Sequence, residues 1–493
     1  MPYPVSDQQN PQFDRRWLIG VLAVAFLLRA SAAWHWREEL TNDRDGYLAI
    51  AENLLKDNGF SADGKRPTAY RPPLYPLLLA VVTVIGGRWA VAVAQVLLGV
   101  GTVWLTFLIG RHLGLARGAL AAAALVAVDP LLLRYTPQLM TETLFTFLVT
   151  LLCCWCTGFS RPDVRSDRLQ PVEERGGRVD SVSSIHRPAE AGHYERQRAA
   201  LIGLVFGLCA LCRPTIWAFG VLGGIGWIIV VRRLRLSRKL AIAEGVIAIS
   251  VCLLVVSPWV VRNARVFGRP IVMTTHGGYT LLLGNNPVFY DEVVRQPWET
   301  VWDGDILREW QRSLEVEMRT DNPPPQTELE RDRWMRNWAL WNIRDDPAGF
   351  AAACWLRFRR FWNVTPTAEG ELPFAVRWAI AAFYTLVTLG MLAGLFRLSR
   401  CRVGCAHHAA RQSGGHSPPY AWWPLVVLLV SFTAVHLVYW TNTRMRAPLI
   451  PIVALLCIRG FAFSRDSEAL RRGARLMSGV DAERSSPKTP SRG

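Results

Sequence analysis

The sequence predicts an all-α polytopic membrane protein with about ten transmembrane helices, further juxtamembrane helices and a mixed or mostly helical extracytoplasmic domain. Of its 493 residues, 51% are hydrophobic, and the mean hydropathy is +0.16. Its apolar runs are long enough, or nearly so, to cross a hydrocarbon core of about 30 Å. They cover residues 17–34, 89–110, 118–133, 139–159, 199–214, 215–231, 240–260, 374–396, 421–440 and 447–464.

The charge distribution predicts how the chain crosses the membrane. With the N-terminus inside, the cytoplasmic segments carry 28 Lys+Arg against 13 Asp+Glu. The outer segments 35–72 and 261–372 carry 20 against 23. This asymmetry follows the positive-inside rule, and it disappears if residues 73–87 form an eleventh span. That short run follows Pro72, so we expect a re-entrant or interfacial helix beneath the first outer loop.

These segments define the expected organisation of the chain. It comprises a cytoplasmic N-terminus 1–16, a transmembrane core 17–260 with the outer loop 35–88, an extracytoplasmic domain 261–372, C-terminal transmembrane helices 373–464 and a cytoplasmic tail 465–493. Within the extracytoplasmic domain, the pattern over 328–338 predicts an amphipathic helix. A second helix is expected to start at Pro347 with Asp346 as its cap. Residues 160–198 have the composition of a flexible loop.

Several other classes of protein are disfavoured. The net charge of +17 suits the positive-inside rule better than nucleic-acid binding, because neither zinc-finger spacing nor interleaved basic and aromatic residues occur. The ten cysteines lie almost all in spans or basic loops, which argues against a disulfide framework. Cys401, Cys405, His407 and His408 have a spacing that is unusual for zinc.

Ionisable and polar side chains gather at the outer ends of the predicted spans. Such groups are costly near lipid, so their clustering on one side of a membrane indicates function. The set comprises Asp43, Asp45, Lys65, Arg66, Arg71, Arg134, Glu142, Arg262, Asn263, His276, Asn285, Asn286, Arg444 and Arg446.

This arrangement resembles the GT-C superfamily of integral-membrane glycosyltransferases. It is most similar to the branch with the dolichyl-phosphate-mannose protein mannosyltransferases and the lipid A aminoarabinose transferases. The resemblance rests on the order of several short motifs along nearly the whole chain. They are Asp43 to Tyr47, Ala51 to Leu55, Tyr70-Arg71-Pro72-Pro73-Leu74-Tyr75-Pro76, Thr141-Glu142, Arg213-Pro214-Thr215, Gly284-Asn285-Asn286-Pro287 and Arg444-Met445-Arg446-Ala447-Pro448.

The resemblance implies a donor sugar on a polyprenyl monophosphate and transfer, with inversion, to an acceptor hydroxyl outside the cytoplasmic membrane. The acceptor is a glycan, a lipid or a protein. The attacking hydroxyl must lose a proton, which requires a carboxylate base. The family motif selects Asp43, with Asp45 as the alternative, and Glu142 matches a second acidic position. No cofactor is expected, although a divalent metal bridging Asp43 and Glu142 remains open.

The leaving phosphate requires a cation that stays protonated, which a guanidinium provides. Arg71 stands where the family has its basic residue, and Arg444 or Arg446 is expected to make a second contact. The remaining candidates are assigned to substrate binding. They are Tyr47, Tyr70, His276, Asn285 and Asn286.

Simpler interpretations compete with these roles. Asp43 can cap the helix 46–56, Arg71 can extend to lipid headgroups, and Asn285-Asn286 suits a turn. His276 suits a structural role, and Arg213 suits packing at a helix break. A transporter or flippase of the same lipid is the alternative function. It is disfavoured because the charges lie on one side and related halves are not evident.

Overall fold

The computed structural model describes residues 11–158, 187–233, 237–298, 300, 302, 304–366, 372–400 and 419–461, and within them every regular element is helical. The predicted all-α membrane fold class is therefore confirmed. The α-helices are α1 Pro11–His35, α2 Tyr47–Leu55, α3 Leu74–His112, α4 Gly118–Ala127, α5 Pro130–Tyr135, α6 Glu142–Cys156, α7 Arg187–Cys212, α8 Ile216–Arg233, α9 Arg238–Phe267, α10 Gly277–Leu283, α11 Pro287–Phe289, α12 Gly304–Thr320, α13 Glu328–Asp345, α14 Pro347–Phe361, α15 Phe374–Arg400, α16 Trp423–Val438 and α17 Ile450–Phe461.

Five helices within the described residues are long and apolar enough to cross a membrane, namely α3, α8, α9, α15 and the part Arg15–His35 of α1. Helices α4, α6 and α16 are apolar but shorter. The protein is thus a membrane protein. The full count of ten spans stays a prediction, because some predicted spans correspond to shorter helices or lie next to undescribed segments.

Helix α3 is interrupted where the sequence separates the run 73–87 from the span 89–110. Gly86 and Gly87 leave helical geometry, and Gly87 has φ +59° and ψ −152°. That region of backbone space favours glycine, because a Cβ atom would clash. The segment before the break is therefore a separate helix, as expected, and it starts directly after the Pro72-Pro73 pair.

Two predicted boundaries were wrong. The span 118–133 is not one helix, because α4 ends at Ala127 and Asp129 caps a new helix through a 3.0 Å bond from Leu132 N. The predicted loop 160–198 ends earlier, because α7 already begins at Arg187. The rest of that loop (160–186), the Cys401–His408 motif and the predicted tail 465–493 lie outside the described residues.

The described part of the segment 261–372, which is predicted to lie outside, contains a helical unit, α10 to α14, around its own apolar core. Leu281, Phe289, Tyr290, Trp310 and Met335 are all buried there. Both predicted helices in it are confirmed. Helix α13 begins with a capping box, and α14 begins at Pro347 with its predicted aspartate cap.

We expect epitope tags inserted at residues 170 and 320 to report opposite sides of the membrane. The charge asymmetry places the first inside and the second outside. Protease protection in sealed vesicles provides the measurement. Finding both tags on the same side would contradict the topology, and a tag appended to the C-terminus, which is predicted to be cytoplasmic, calibrates the assay.

Candidate active site

Polar side chains from separate segments meet through ion pairs. The segments are the loop before α2, the start of α3, the start of α6, the end of α7 and a 3₁₀ helix, Thr443–Leu449, that precedes α17. Asp45 and Glu142 supply the carboxylates of these pairs, and Arg71, Arg213 and Arg444 supply the guanidiniums. The predicted convergence of outer loop one, the start of α6 and the turn before the last span is therefore present.

Asp45 lies between two arginines. Its Oδ1 is 3.7 Å from Arg71 Nη2, and its Oδ2 is 3.3 Å from Arg444 Nη1. Burial alone would raise the pKa of Asp45, but Arg444, Arg71 and Arg213 outweigh it and hold the pKa below the usual value. Asp45 is therefore a poor proton acceptor and a good counter-ion.

Asp43 has a different environment. Its Oδ2 accepts a 2.8 Å hydrogen bond from Ala49 N in the first turn of α2, while its Oδ1 is buried without a hydrogen-bond partner. The chain turns between them at Gly46, which has φ +75° and so favours glycine. The helix-capping interpretation of Asp43 thus accounts for only one of its oxygens. Among the described residues, the other oxygen has no hydrogen-bond partner.

Glu142 is the most deeply buried carboxylate of the group, with 1% of its surface exposed. Its Oε1 accepts a 2.6 Å bond from Arg213 Nη2 and lies 3.6 Å from Arg444 Nε. Arg213 Nε also donates to Thr141 Oγ1 at 2.6 Å. The packing role expected for Arg213 was incomplete, because its guanidinium holds this carboxylate. In the sequence, the only signal for this role of Arg213 was its position before Pro214, at the end of a predicted span.

The guanidinium of Arg71 lies against two aromatic rings. It is 5.2 Å from the ring of Tyr47 and 5.3 Å from that of Tyr70, distances at which cations are attracted to aromatic faces. Arg71 Nε is buried and lacks a hydrogen-bond partner. The two ring contacts therefore hold the guanidinium of Arg71 beside Asp45, with its Nε donor unpaired among the described residues.

His276 belongs to this aromatic group. Its ring meets Tyr70 edge-on at 4.3 Å, and its Nδ1 is 2.7 Å from Thr280 Oγ1. Burial, together with the charge of Arg71, lowers the pKa of His276 to about 3. The imidazole is therefore neutral at physiological pH, so His276 adds shape and hydrogen bonding rather than charge.

Two predicted site residues, Asn285 and Asn286, have their contacts elsewhere. Asn285 donates to the carbonyls of Leu281 and Val438, and Asn286 caps α11 through Phe289 N at 2.8 Å. Both are buried, at 0% and 2% exposure, which agrees with the turn interpretation, while substrate binding by these residues stays a prediction.

Arg446 also faces away from the ion-pair cluster. Its Nη1 donates to Asn363 O at 3.0 Å, and its guanidinium lies 4.6 Å from the ring of Tyr384. Of the two alternatives for a second phosphate contact, Arg444 is the one beside Asp45.

Two further candidate arginines, in α9 and α5, contact residues of the segment 35–72 from outside it. Arg262 donates to the carbonyls of Thr68 and Phe60, and Arg134 pairs with Glu39 at 3.0 Å. Within the described residues, three or more His, Cys, Asp or Glu side chains do not come together as a metal site.

Residues 70–161 match the family model of Dolichyl-phosphate-mannose-protein mannosyltransferase. The matched range contains Tyr70, Arg71 and Glu142, and it confirms the resemblance to membrane glycosyltransferases that the motifs predicted. The curated protein sequences compared with the chain include no match.

Several solved structures are similar over most of the chain. The apo Archaeoglobus fulgidus oligosaccharyltransferase aligns with a TM-score of 0.49 at 14% identity, covering 97% of this chain and 53% of that one. AglB from the same organism, in complex with an inhibitory peptide and a dolichol-phosphate, gives 0.46 at 12% identity, with coverages of 97% and 53%. ArnT from Cupriavidus metallidurans bound to undecaprenyl phosphate gives 0.41 at 14% identity, with coverages of 96% and 82%. The chain thus spans about half the length of the archaeal enzymes.

Proposed function

We propose that the protein is an inverting glycosyltransferase that moves a sugar from a polyprenyl monophosphate to an acceptor hydroxyl outside the cytoplasmic membrane. One observation carries the proposal. A carboxylate with a free buried oxygen, Asp43, stands two residues from a carboxylate that holds two guanidiniums, Asp45. The proposed base thus lies beside the carboxylate that gathers the two proposed phosphate-binding arginines. The family match over residues 70–161, which includes Arg71, supports the proposal.

In the proposed reaction, the acceptor oxygen attacks the anomeric carbon of the donor sugar. Its proton passes to Asp43 Oδ1, and the bond between the anomeric carbon and the phosphate oxygen breaks. The bonding electrons leave with polyprenyl phosphate, whose added negative charge the arginines neutralise. Attack opposite the leaving group inverts the anomeric configuration.

Arg71 and Arg444 form the proposed phosphate site. In the structure described, both form ion pairs with Asp45. A donor phosphate would replace Asp45 as a partner of at least one guanidinium. Since guanidinium–phosphate bonds are charge-assisted and can be bidentate, this exchange is favourable. Glu142 accepts a hydrogen bond from Arg213 and also pairs with Arg444 Nε. This second contact keeps the guanidinium of Arg444 in the ion-pair cluster.

Deleting the gene should remove a sugar substituent from one class of envelope glycan, glycolipid or glycoprotein. Comparative mass spectrometry of these fractions provides the measurement and identifies the acceptor. Wild-type protein should restore the substituent, whereas an Asp43→Asn variant present at equal level should not. An unchanged profile after deletion, or full restoration by the variant, would contradict the proposal.

A further inference from the structure

One carboxylate of the outer helical unit (α10 to α14) accepts several hydrogen bonds at the loop that carries Arg71. Glu328, the first residue of α13, accepts from Thr68 Oγ1 at 2.8 Å through Oε2. Its Oε1 accepts from Ala69 N at 2.9 Å and also from the hydroxyl of Thr275. A single side chain therefore joins two segments that are far apart in the sequence.

The junction is buried and is reinforced by main-chain bonds. Thr68, Ala69 and Thr275 are 6%, 0% and 2% exposed. Thr275 N donates to Ala69 O at 3.1 Å, and Tyr70 N donates to Thr68 Oγ1 at 2.9 Å. Hydrogen bonds to a carboxylate are stronger than neutral ones, and the helix N-terminus favours a negative charge at Glu328.

The residues that follow these contacts belong to the candidate active site. Tyr70 and Arg71 come directly after Ala69, and His276 comes directly after Thr275. The rings of Tyr70 and His276 meet at 4.3 Å, and Arg71 lies 5.3 Å from the Tyr70 ring. Fixing Ala69 and Thr275 together therefore fixes the aromatic surface against which Arg71 rests.

A second acid on the same face of α13 strengthens this attachment. Asp332, four residues after Glu328, accepts from Gly278 N at 2.6 Å. Residues spaced by four lie on one helix face, so α13 contacts both ends of the segment from Thr275 to Gly278. The segment with His276 is thus attached to α13, and Glu328 extends this attachment to the Arg71 loop, beside the main-chain bond between Thr275 N and Ala69 O.

We propose that Glu328 is a positioning residue that couples the outer helical unit to the donor-phosphate site by holding Arg71 in its binding position. The proposal rests on the proposed function insofar as Arg71 binds phosphate. It gives the outer unit a defined effect on donor binding, although Glu328 itself touches neither Arg71 nor the ion-pair cluster.

The test compares Glu328→Ala and Glu328→Gln with a control, Glu309→Ala, an exposed acid on α12 of the same unit. Hydrogen exchange of the full-length protein in detergent is followed in peptides covering 68–71 and 273–278. Glu328→Ala should speed exchange in both peptides, since it removes the acceptor of the Ala69 amide. Glu328→Gln keeps an acceptor oxygen and should retain most of the protection, and the control should match wild type.

Affinity for undecaprenyl phosphate is measured on the same variants. Loss of several charge-assisted hydrogen bonds should weaken binding by about tenfold in Glu328→Ala, with Glu328→Gln within about threefold of wild type. If Glu328→Ala does not fold, Thr275→Val, which removes one donor to Glu328, should show the same changes at smaller size.

Unchanged exchange in both peptides, or wild-type affinity in Glu328→Ala, would overturn the positioning role. Failure of the proposed function gives a different result. In that case wild-type protein does not bind the lipid phosphate, while the exchange measurement still decides whether Glu328 orders the loop.

Discussion

Replacing Asp43 by asparagine should reduce sugar transfer by about 10² to 10⁴-fold while leaving the fold intact. Asparagine retains an oxygen that can accept from Ala49 N, the contact that Asp43 Oδ2 makes now. It cannot take a proton from the attacking hydroxyl, so the chemical step loses its base. Initial rates of transfer by purified protein in lipid nanodiscs measure the effect.

Two further variants make this test specific. Asp57→Asn changes an exposed acid of the same loop whose φ of +58° asparagine tolerates well, so it should transfer at the wild-type rate. Asp45→Asn should change the KM for the donor rather than remove the base, since Asp45 pairs with the proposed phosphate-binding residues Arg71 and Arg444. If Asp43→Asn kept transfer within about twofold of wild type, the base would be Asp45 or the site would not act by base catalysis.

Replacing Arg71 by alanine should raise the barrier to transfer by about 3–4 kcal/mol, the cost of losing one well-placed charge-stabilising donor. This corresponds to a decrease in kcat of about 10² to 10³-fold. Arg71→Lys should recover little of it, because an ammonium lacks the planar fork and the stacking against Tyr47 and Tyr70. Steady-state kinetics with varied donor concentration separate this effect from a change in KM.

Arg66→Gln provides the matched control, since Arg66 is an exposed arginine of the same loop, and it should leave kcat unchanged. Equal activity of Arg71→Ala and Arg66→Gln would mean that Arg71 only interacts with lipid headgroups. Such a result would remove the phosphate assignment but not the assignment of Asp43.

The fold was predictable where one local signal dominates. Apolar runs mark the long helices, and the aspartate–proline pair at 346–347 marks the start of α14. The break after Ala127 was missed because the apolar run continues through Val128, and only the carboxylate of Asp129, which caps the start of α5, marks the new helix. The early start of α7 was missed because its first residues have the composition of a polar loop.

Part of the candidate site was predictable because its residues occur in short motifs with a characteristic order along the chain. Asp43, Asp45, Arg71, Glu142 and Arg444 all stand in short motifs at the outer ends of predicted spans. Contacts between distant segments were not predictable. A single sequence does not reveal that Arg213 reaches Glu142 or that Glu328 reaches Ala69, because these pairs are fixed by tertiary packing.

Tertiary packing also sets the contacts of Asn285 and Asn286. Their polar side chains suggested substrate contacts, but the neighbouring helix ends leave carbonyl and amide groups that these asparagines satisfy. Buried polar side chains commonly serve such backbone groups.

The fate of the donor tests the central claim most directly. Purified protein in nanodiscs is incubated with polyprenyl monophosphates that carry candidate sugars, together with an extract of envelope acceptors, and the lipid products are analysed by mass spectrometry. The account predicts release of free polyprenyl monophosphate with the sugar attached to an acceptor, dependent on both Asp43 and Arg71. An intact donor that crosses the bilayer in proteoliposomes without cleavage would contradict it and indicate a flippase.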